Sequence, residues 1–311
     1  MSSSEWTVAS EHSLGDASIL SFRFTRKHLR YGIEDIGVLD SNGTEVYTIG
    51  NPGYGSTSAD LPGNRAPNGE PLVPKAKRDY TAFEVRYDKR FTEGFARNFN
   101  VFASYTYSRL YGNWAGLANS DEAGRSQPNV SRAFDLSPGN FDGTGHNVYG
   151  LLATDRPHQL KFFGNYLLKT RAGGTTFSVS QLAFSGTPLS SEVTFIVPAF
   201  FAGRGDLGRT PFFTQTDFLL AHRYQVTERV SVKFDANITN LFNQAVVVGR
   251  TTRLNRNGDL DALVANPYGG YNALALVNPI NGGTPARNVI YNLPSAYQGI
   301  RDVRLGFHVE F

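Results

Sequence analysis

"DVRLGFHVEF", residues 302–311, decides how the rest of the chain is read. Val303, Leu305, Phe307, Val309 and Phe311 fall on one side of a period-two pattern, and Asp302, Arg304, Gly306, His308 and Glu310 on the other. That is a strand with one apolar face. A terminal segment that buries little apolar surface frays, because nothing offsets the entropy lost on ordering it. An aromatic at Phe311 is therefore expected to end a strand that has a place in a sheet.

The same alternation recurs upstream. Val230, Val232, Phe234, Ala236 and Ile238 oppose Ser231, Lys233, Asp235, Asn237 and Thr239. Phe99, Val101, Ala103, Tyr105 and Tyr107 oppose Asn98, Asn100, Ser104 and Thr106, and Phe83, Val85, Tyr87 and Phe91 oppose Glu84, Arg86, Asp88 and Arg90. Period-two segments bounded by turn residues predict about nine strands, over 3–13, 16–31, 78–91, 99–111, 156–169, 175–184, 212–224, 230–241 and the terminal segment. Segments 175–184 and 212–224 carry apolar residues on both faces, so periodicity does not orient them.

The connections alternate in length. "SLGD", "TEGFARN", "TRAGG" and "VTER" are short, whereas the links between them are long and rich in Gly, Pro and Asn. In an up-and-down meander, strict alternation gathers the short turns at one end and the long loops at the other, which is how transmembrane barrels are built. Most segments reach the roughly 9 to 11 tilted residues that cross the hydrocarbon. The expected fold class is all-β, an antiparallel up-and-down transmembrane β-barrel whose apolar face meets lipid. Tyr31, Phe91, Tyr111, Tyr224 and Phe311 near strand ends suit interfacial aromatic girdles, and Lys233, Asp235, Asn237 and Arg304 are expected to face the lumen. Soluble sandwiches also alternate. A soluble all-β module binding glycans through aromatic loops, and a surface or adhesion protein anchored by a barrel, therefore stand as alternatives.

Composition narrows the classes. The 311 residues are 40% hydrophobic with mean hydropathy −0.30, and no run of about 18 apolar residues would span a bilayer as a helix. The 32 Gly, 23 Phe and 15 Tyr describe a β-rich chain with many turns. A net charge of +3 without a basic run does not argue for nucleic acid. The absence of Cys excludes disulfides, thiolate zinc sites and thiol nucleophiles. "MSSSEWTVAS" lacks the features of a secretory signal peptide. The six His, at 12, 28, 146, 158, 222 and 308, are scattered without a metal or hydrolase motif, so no catalytic residue, metal or cofactor is expected. Arg204, Gly205 and Asp206 form a tripeptide known from adhesive ligands, expected here to shape a loop. "NRNGDLD" places Asn255, Asn257, Asp259 and Asp261 at alternate positions, but Gly258 is misplaced for a calcium loop and no bidentate Glu follows. A solvated loop is expected there.

"NITNLFNQ", residues 237–244, followed by "RLGFHVEF" at the end, resembles the C-terminal barrel region of TonB-dependent outer-membrane transporters. "IEDIGVLDSNGTEVYTIGNPGYG", "DRPHQL" and "GRGDLGRTPFFTQTDFLLAHRYQV" resemble the Oar-like branch, so the likeness covers nearly the whole chain. It implies a cell outer-membrane location with long loops extracellular and short turns periplasmic. It also implies that Leu305, Phe307, Val309 and Phe311 form the signal read by the barrel assembly machinery, with outer-membrane lipid as the other partner. The complete transporter would take up a bulky ligand, a siderophore, glycan or peptide, with energy delivered by TonB through a plug.

Such transporters have about 22 strands around that plug. Nine meandering strands leave the first and last running the same way, and bacterial single-chain barrels have even counts. Open edges in hydrocarbon cost several kcal/mol per unpaired backbone group. Residues 1–311 are therefore expected to be the C-terminal portion of a barrel. The N-terminal strands and plug would be missing, TonB would be reached only through that plug, and the portion would not transport alone.

Overall fold

The computed structural model describes residues 1–15, 17–39, 44–92, 97–116, 134–194, 197–256, 267–277 and 287–311. Nine long strands form one antiparallel sheet: β1 Ser2–Ser13, β2 Ser18–Tyr31, β3 Arg78–Arg90, β4 Phe99–Gly112, β5 His158–Thr170, β6 Gly173–Phe184, β7 Phe213–Gln225, β8 Ser231–Thr239 and β9 Asp302–Glu310. Their spatial order is their chain order, so the sheet is an up-and-down meander, with Gly150–Leu151 added beside β4. Among the described residues the sheet does not close: β1 pairs only with β2, and β9 only with β8.

The register decides the faces that periodicity left open. Phe218 and Leu220 of β7 stand between Val179 and Phe177 of β6 and Ile238 and Ala236 of β8. Leu219 and Ala221 share the opposite face with Ser178 and Thr176. The expected segment 230–241 ends early, at Thr239, because Asn240 turns the chain with φ +52°. Asparagine tolerates that left-handed conformation better than a β-branched or bulky residue.

One face is apolar and uncovered. Rows such as Phe22, Val85 and Tyr105, or Phe24, Phe83 and Tyr107, run across β2, β3 and β4. Phe83 is 44% exposed, Tyr107 54% and Phe234 56%. A soluble sandwich would bury this face against a second sheet. Of the five aromatics placed at the girdles, Phe91, Tyr111, Tyr224 and Phe311 take this side by alternation. Tyr31 lies past the bulge where the β1–β2 register shifts, opposite Ser2, and meets Tyr54 of the first long loop edge-on, with ring centroids 5.3 Å apart.

The core lies in the long connections. The first carries the hairpin Glu34–Leu39/Glu45–Gly50, the third the short pair Val193–Thr194/Pro198–Ala199, and the fourth the pair Val247–Arg250/Pro294–Tyr297 and the helical turn Ala273–Leu276. Leu29, Ile36, Val73, Ala76, Trp114 and Phe134 pack as one buried cluster, and Val193, Ala199, Leu254, Ala273 and Val277 as another. Leu29 belongs to the polar face of β2, so the loops fold over the polar side and leave the apolar side bare. Backbone bonds from Asn272's neighbour Tyr271 to Gly143 and from Gly143 to Phe201, both 2.7 Å, stitch the second, third and fourth connections together. Asn68 Nδ2 donates to Gly145 O at 2.5 Å, joining the first to the second. The four long connections make one cap.

Candidate functional site

Three places on this frame carry the residues singled out by sequence: the terminal strand, the junction of sheet and cap, and the polar face beneath the cap.

On β9 the four residues of the expected assembly signal project from one exposed face, Leu305 at 81% and Phe311 at 97% exposed. Val303, Leu305, Phe307 and Val309 stand opposite Ile238, Ala236, Phe234 and Val232, with the Phe234 and Phe307 rings 5.0 Å apart. The reverse face is charged. Asp235 lies across from Gly306 and meets His308 Nε2 at 3.0 Å and Lys233 Nζ at 3.6 Å. A Cβ at position 306 would fall 2.5 Å from Asp235 Oδ2, so glycine there is what lets the carboxylate cross to β9. Next along, Glu310 Oε2 takes Arg223 Nη2 at 2.5 Å and the Ser231 hydroxyl at 3.2 Å. Lys233, Asp235, Asn237 and Arg304 thus share one face, as their alternation requires.

At the junction, the quoted motifs turn out to be clamps. Asn240 is 1% exposed; its Oδ1 accepts from Gln244 N at 3.0 Å, and its Nδ2 donates to Gln244 O and Gly299 O, both at 2.8 Å. Asn243, also left-handed at φ +51°, accepts from Arg301 N at 2.9 Å. "NLFNQ" therefore fastens the exit of β8 to the entry of β9. In "DRPHQL", Asp155 is 2% exposed, accepts from Leu110 N at 2.5 Å and pairs with Arg209, which also donates to Asp155 O and Gly186 O at 3.0 Å each. Glu34 accepts from the Trp114 indole. The Arg204-Gly205-Asp206 tripeptide is likewise structural. Asp206 Oδ1 accepts from Ser191 N at 2.7 Å, Gly205 N donates to Ser190 Oγ at 2.9 Å, and the Arg204 guanidinium lies 4.4 Å over the Phe200 ring.

Under the first two long connections, on the polar face beside β1, a cleft of about 480 Å³ is walled by Lys27, Arg78, Tyr80, Leu29 and Trp114. Its cations are engaged: Lys27 Nζ lies 3.5 Å from Glu5, and Arg78 donates to Ala115 O. Aromatic and basic walls suit a polar, partly planar guest without naming one. Within the cap, burial pushes the phenols of Tyr149, Tyr268, Tyr271 and Tyr291 above their ordinary value, and Ser137 and Ser191 hydrogen-bond Tyr268 and Tyr291 in opposition to that rise.

Sequence reasoning missed the cap's interior. Asn255, expected in a solvated loop, is fully buried; it accepts from Thr194 N at 2.9 Å and donates to Thr194 O at 3.2 Å. Asn257, Asp259 and Asp261 lie outside the described residues. A usable signal existed in "IEDIGVLDSNGTEVYTIG", where two alternating segments flank a turn sequence, the pattern of a hairpin. Among the described residues no three His, Asp or Glu side chains converge as a metal site, and no helix is long and apolar enough to cross a membrane, which says nothing of strands.

Comparison with known proteins gives one direction. The chain is 31% identical over 304 residues to the TonB-dependent transporter Oar of Myxococcus xanthus, across 94% of this chain. It spans about a quarter of that relative's length, 24%. No family model matches the chain. No solved structure matches it.

Proposed function

We propose, for a chain that belongs to the Oar-like TonB-dependent transporter family through the quarter of its relative that it matches, that the nine strands are an arc of an outer-membrane barrel wall. In this reading the apolar face meets lipid and the packed cap stands outside the cell as part of the receptor surface. The short turns are periplasmic. Residues 1–311 are the C-terminal portion of the wall, and the complete transporter supplies the remaining strands and a plug through which TonB delivers energy. The cargo is bulky, and the cleft beside Lys27 and Tyr80 forms part of its path.

The observation that carries this is the inversion of burial: the sheet exposes an apolar face while the connections hold the buried core. In water such a face would be covered; in hydrocarbon it is the low-energy surface, and the ladder satisfies the backbone internally. The open edges at β1 and β9 support an arc rather than a closed pore.

The two tryptophans make the test. Trp6 is 74% exposed on the apolar face, and Trp114 is 4% exposed in the cap. In vesicles of phosphatidylcholine brominated high on the acyl chains, close to the head groups, the Trp114→Phe variant should lose most of its fluorescence and the Trp6→Phe variant should keep it. A chain that stays in solution without detergent, with Trp6 unquenched, would overturn the reading. The assembly role of β9 has its own test, since Phe311→Ser in the complete transporter should lower the amount of heat-modifiable barrel. Assembly equal to the parent would remove that role.

A further inference from the structure

At the loop end of β2, β3 and β4 the apolar face gives way to charged residues. Below it, the rows Leu20, Tyr87 and Ala103, then Phe22, Val85 and Tyr105, then Phe24, Phe83 and Tyr107 are apolar. The next row is Trp6, Arg26, Thr81 and Arg109. One pair nearer the loops, His28 stands opposite Asp79, and Asp79 opposite Tyr111. Arg30 follows at the bulge where the β1–β2 register shifts, and it is exposed. Lys77 Nζ reaches this side too, 3.6 Å from Asp79 Oδ2 and 5.5 Å over the Tyr111 ring.

The charges here do not cancel. Asp79 is engaged by both His28 and Lys77. Arg26, Arg30 and Arg109 are exposed and have no carboxylate partner among the described residues; Arg109 rests 4.7 Å over Tyr111. Uncompensated guanidinium groups on a lipid-facing surface are costly in hydrocarbon and favourable at the level of anionic head groups. From Ser18 to Arg26 the strand runs roughly 27 Å at about 3.4 Å a residue, or about 20 Å along the membrane normal at the roughly 40° tilt of such strands, close to the roughly 25 Å apolar band of outer-membrane barrels. The patch therefore falls at the head-group level on the loop side. Arginine's planar fork also suits phosphate oxygens.

We infer that Arg26 and Arg109, with Lys77, bind the phosphate groups of a phosphorylated lipid head group in the membrane leaflet on the loop side. This rests on the barrel-wall reading above and deepens it: where that reading has lipid in general against the apolar face, it adds one phosphorylated lipid held by charge at a sector of the wall.

The test uses the whole chain refolded into phosphatidylcholine vesicles with and without diphosphoryl lipid A, and reads lipid A retained after detergent extraction. The Trp6 quenching signal is recorded in parallel. The parent should retain lipid A. Arg26→Gln with Arg109→Gln should weaken retention about thirtyfold, at about fivefold for each cation near a charged surface, with quenching unchanged. Arg26→Lys with Arg109→Lys should keep most of it. Arg304→Gln, on the opposite face, should retain as the parent does and controls for a general charge effect. If the parent inserts, as quenching shows, but retains no lipid A, or the double Gln variant retains as much as the parent, the inference falls and the wall reading stands. Inorganic phosphate that displaces lipid A at equal concentration would mark a free-phosphate site and overturn the lipid assignment. If Trp6 is not quenched, the wall reading fails and the inference fails with it.

Discussion

Wall and cap solve opposite problems with the same kinds of residue. In the wall, Phe234 and Leu305 stand 56% and 81% exposed, whereas in the cap Phe134 and Phe141 are 1% and 0% exposed. The sheet's backbone is satisfied by neighbouring strands, so its side chains need no cover of their own to complete the hydrogen bonding. The cap is made of irregular connections, and a long connection that buried nothing would not hold a single conformation. It therefore folds like a small globular domain, with its own buried clusters and clamps such as Asp155 with Arg209. A surface carried by such a cap is preorganised rather than loose.

The sharpest way to break this contrast is to cut the cap's core. Phe141→Ala should cost about 3–5 kcal/mol, the range for large-to-small changes in a packed interior. Limited proteolysis should then cleave the long connections while the strand signal in circular dichroism and the Trp6 quenching persist. Loss of the strands together with the cap would mean the two regions are one cooperative unit.

The same chemistry applied to the wall should behave differently. Phe234→Ser takes away a ring that is 56% exposed on the sheet. In a bilayer it should cost about 2 kcal/mol, the order of a buried aromatic's transfer, read as a lowered urea midpoint of the refolded protein. A cost as large as that of Phe141→Ala would place this face against protein.

The smallest effect is a pH dependence confined to the cap. Tyr149, Tyr268, Tyr271 and Tyr291 have phenols raised by burial. Unfolding lets them ionise near the ordinary value of about 10, so the folded cap binds more protons than the unfolded one above that pH. Its stability should be level below about pH 9 and fall as pH rises through 10 and beyond. Proteolytic protection of the cap that held constant to pH 11 would contradict the burial of these rings.

The period-two faces, the nine strands and the alternation of short and long connections were legible in the residues, because each depends on neighbours two apart or on a turn of a few residues. "NLFNQ" was legible as a motif, but its work was not. That required Gly299 to be brought to Asn240 across 59 residues. The resemblance to Oar-like transporters carried the family, and the relative's identity over 94% of the chain supports it. The clefts and clamps were hidden for the same reason as the cap core: Glu34 and Trp114 are 80 residues apart, Asp155 and Arg209 54, and Ser191 and Tyr291 100.

By itself, then, the sequence determined that this chain makes a meander with one apolar and one polar face, since a strand's side chains alternate whatever lies around them. Only the tertiary structure decided which face the loops would cover. It also decided where the buried core would sit and which cations have no carboxylate partner among the described residues. Those depend on contacts between segments far apart in the chain, and no local pattern records them.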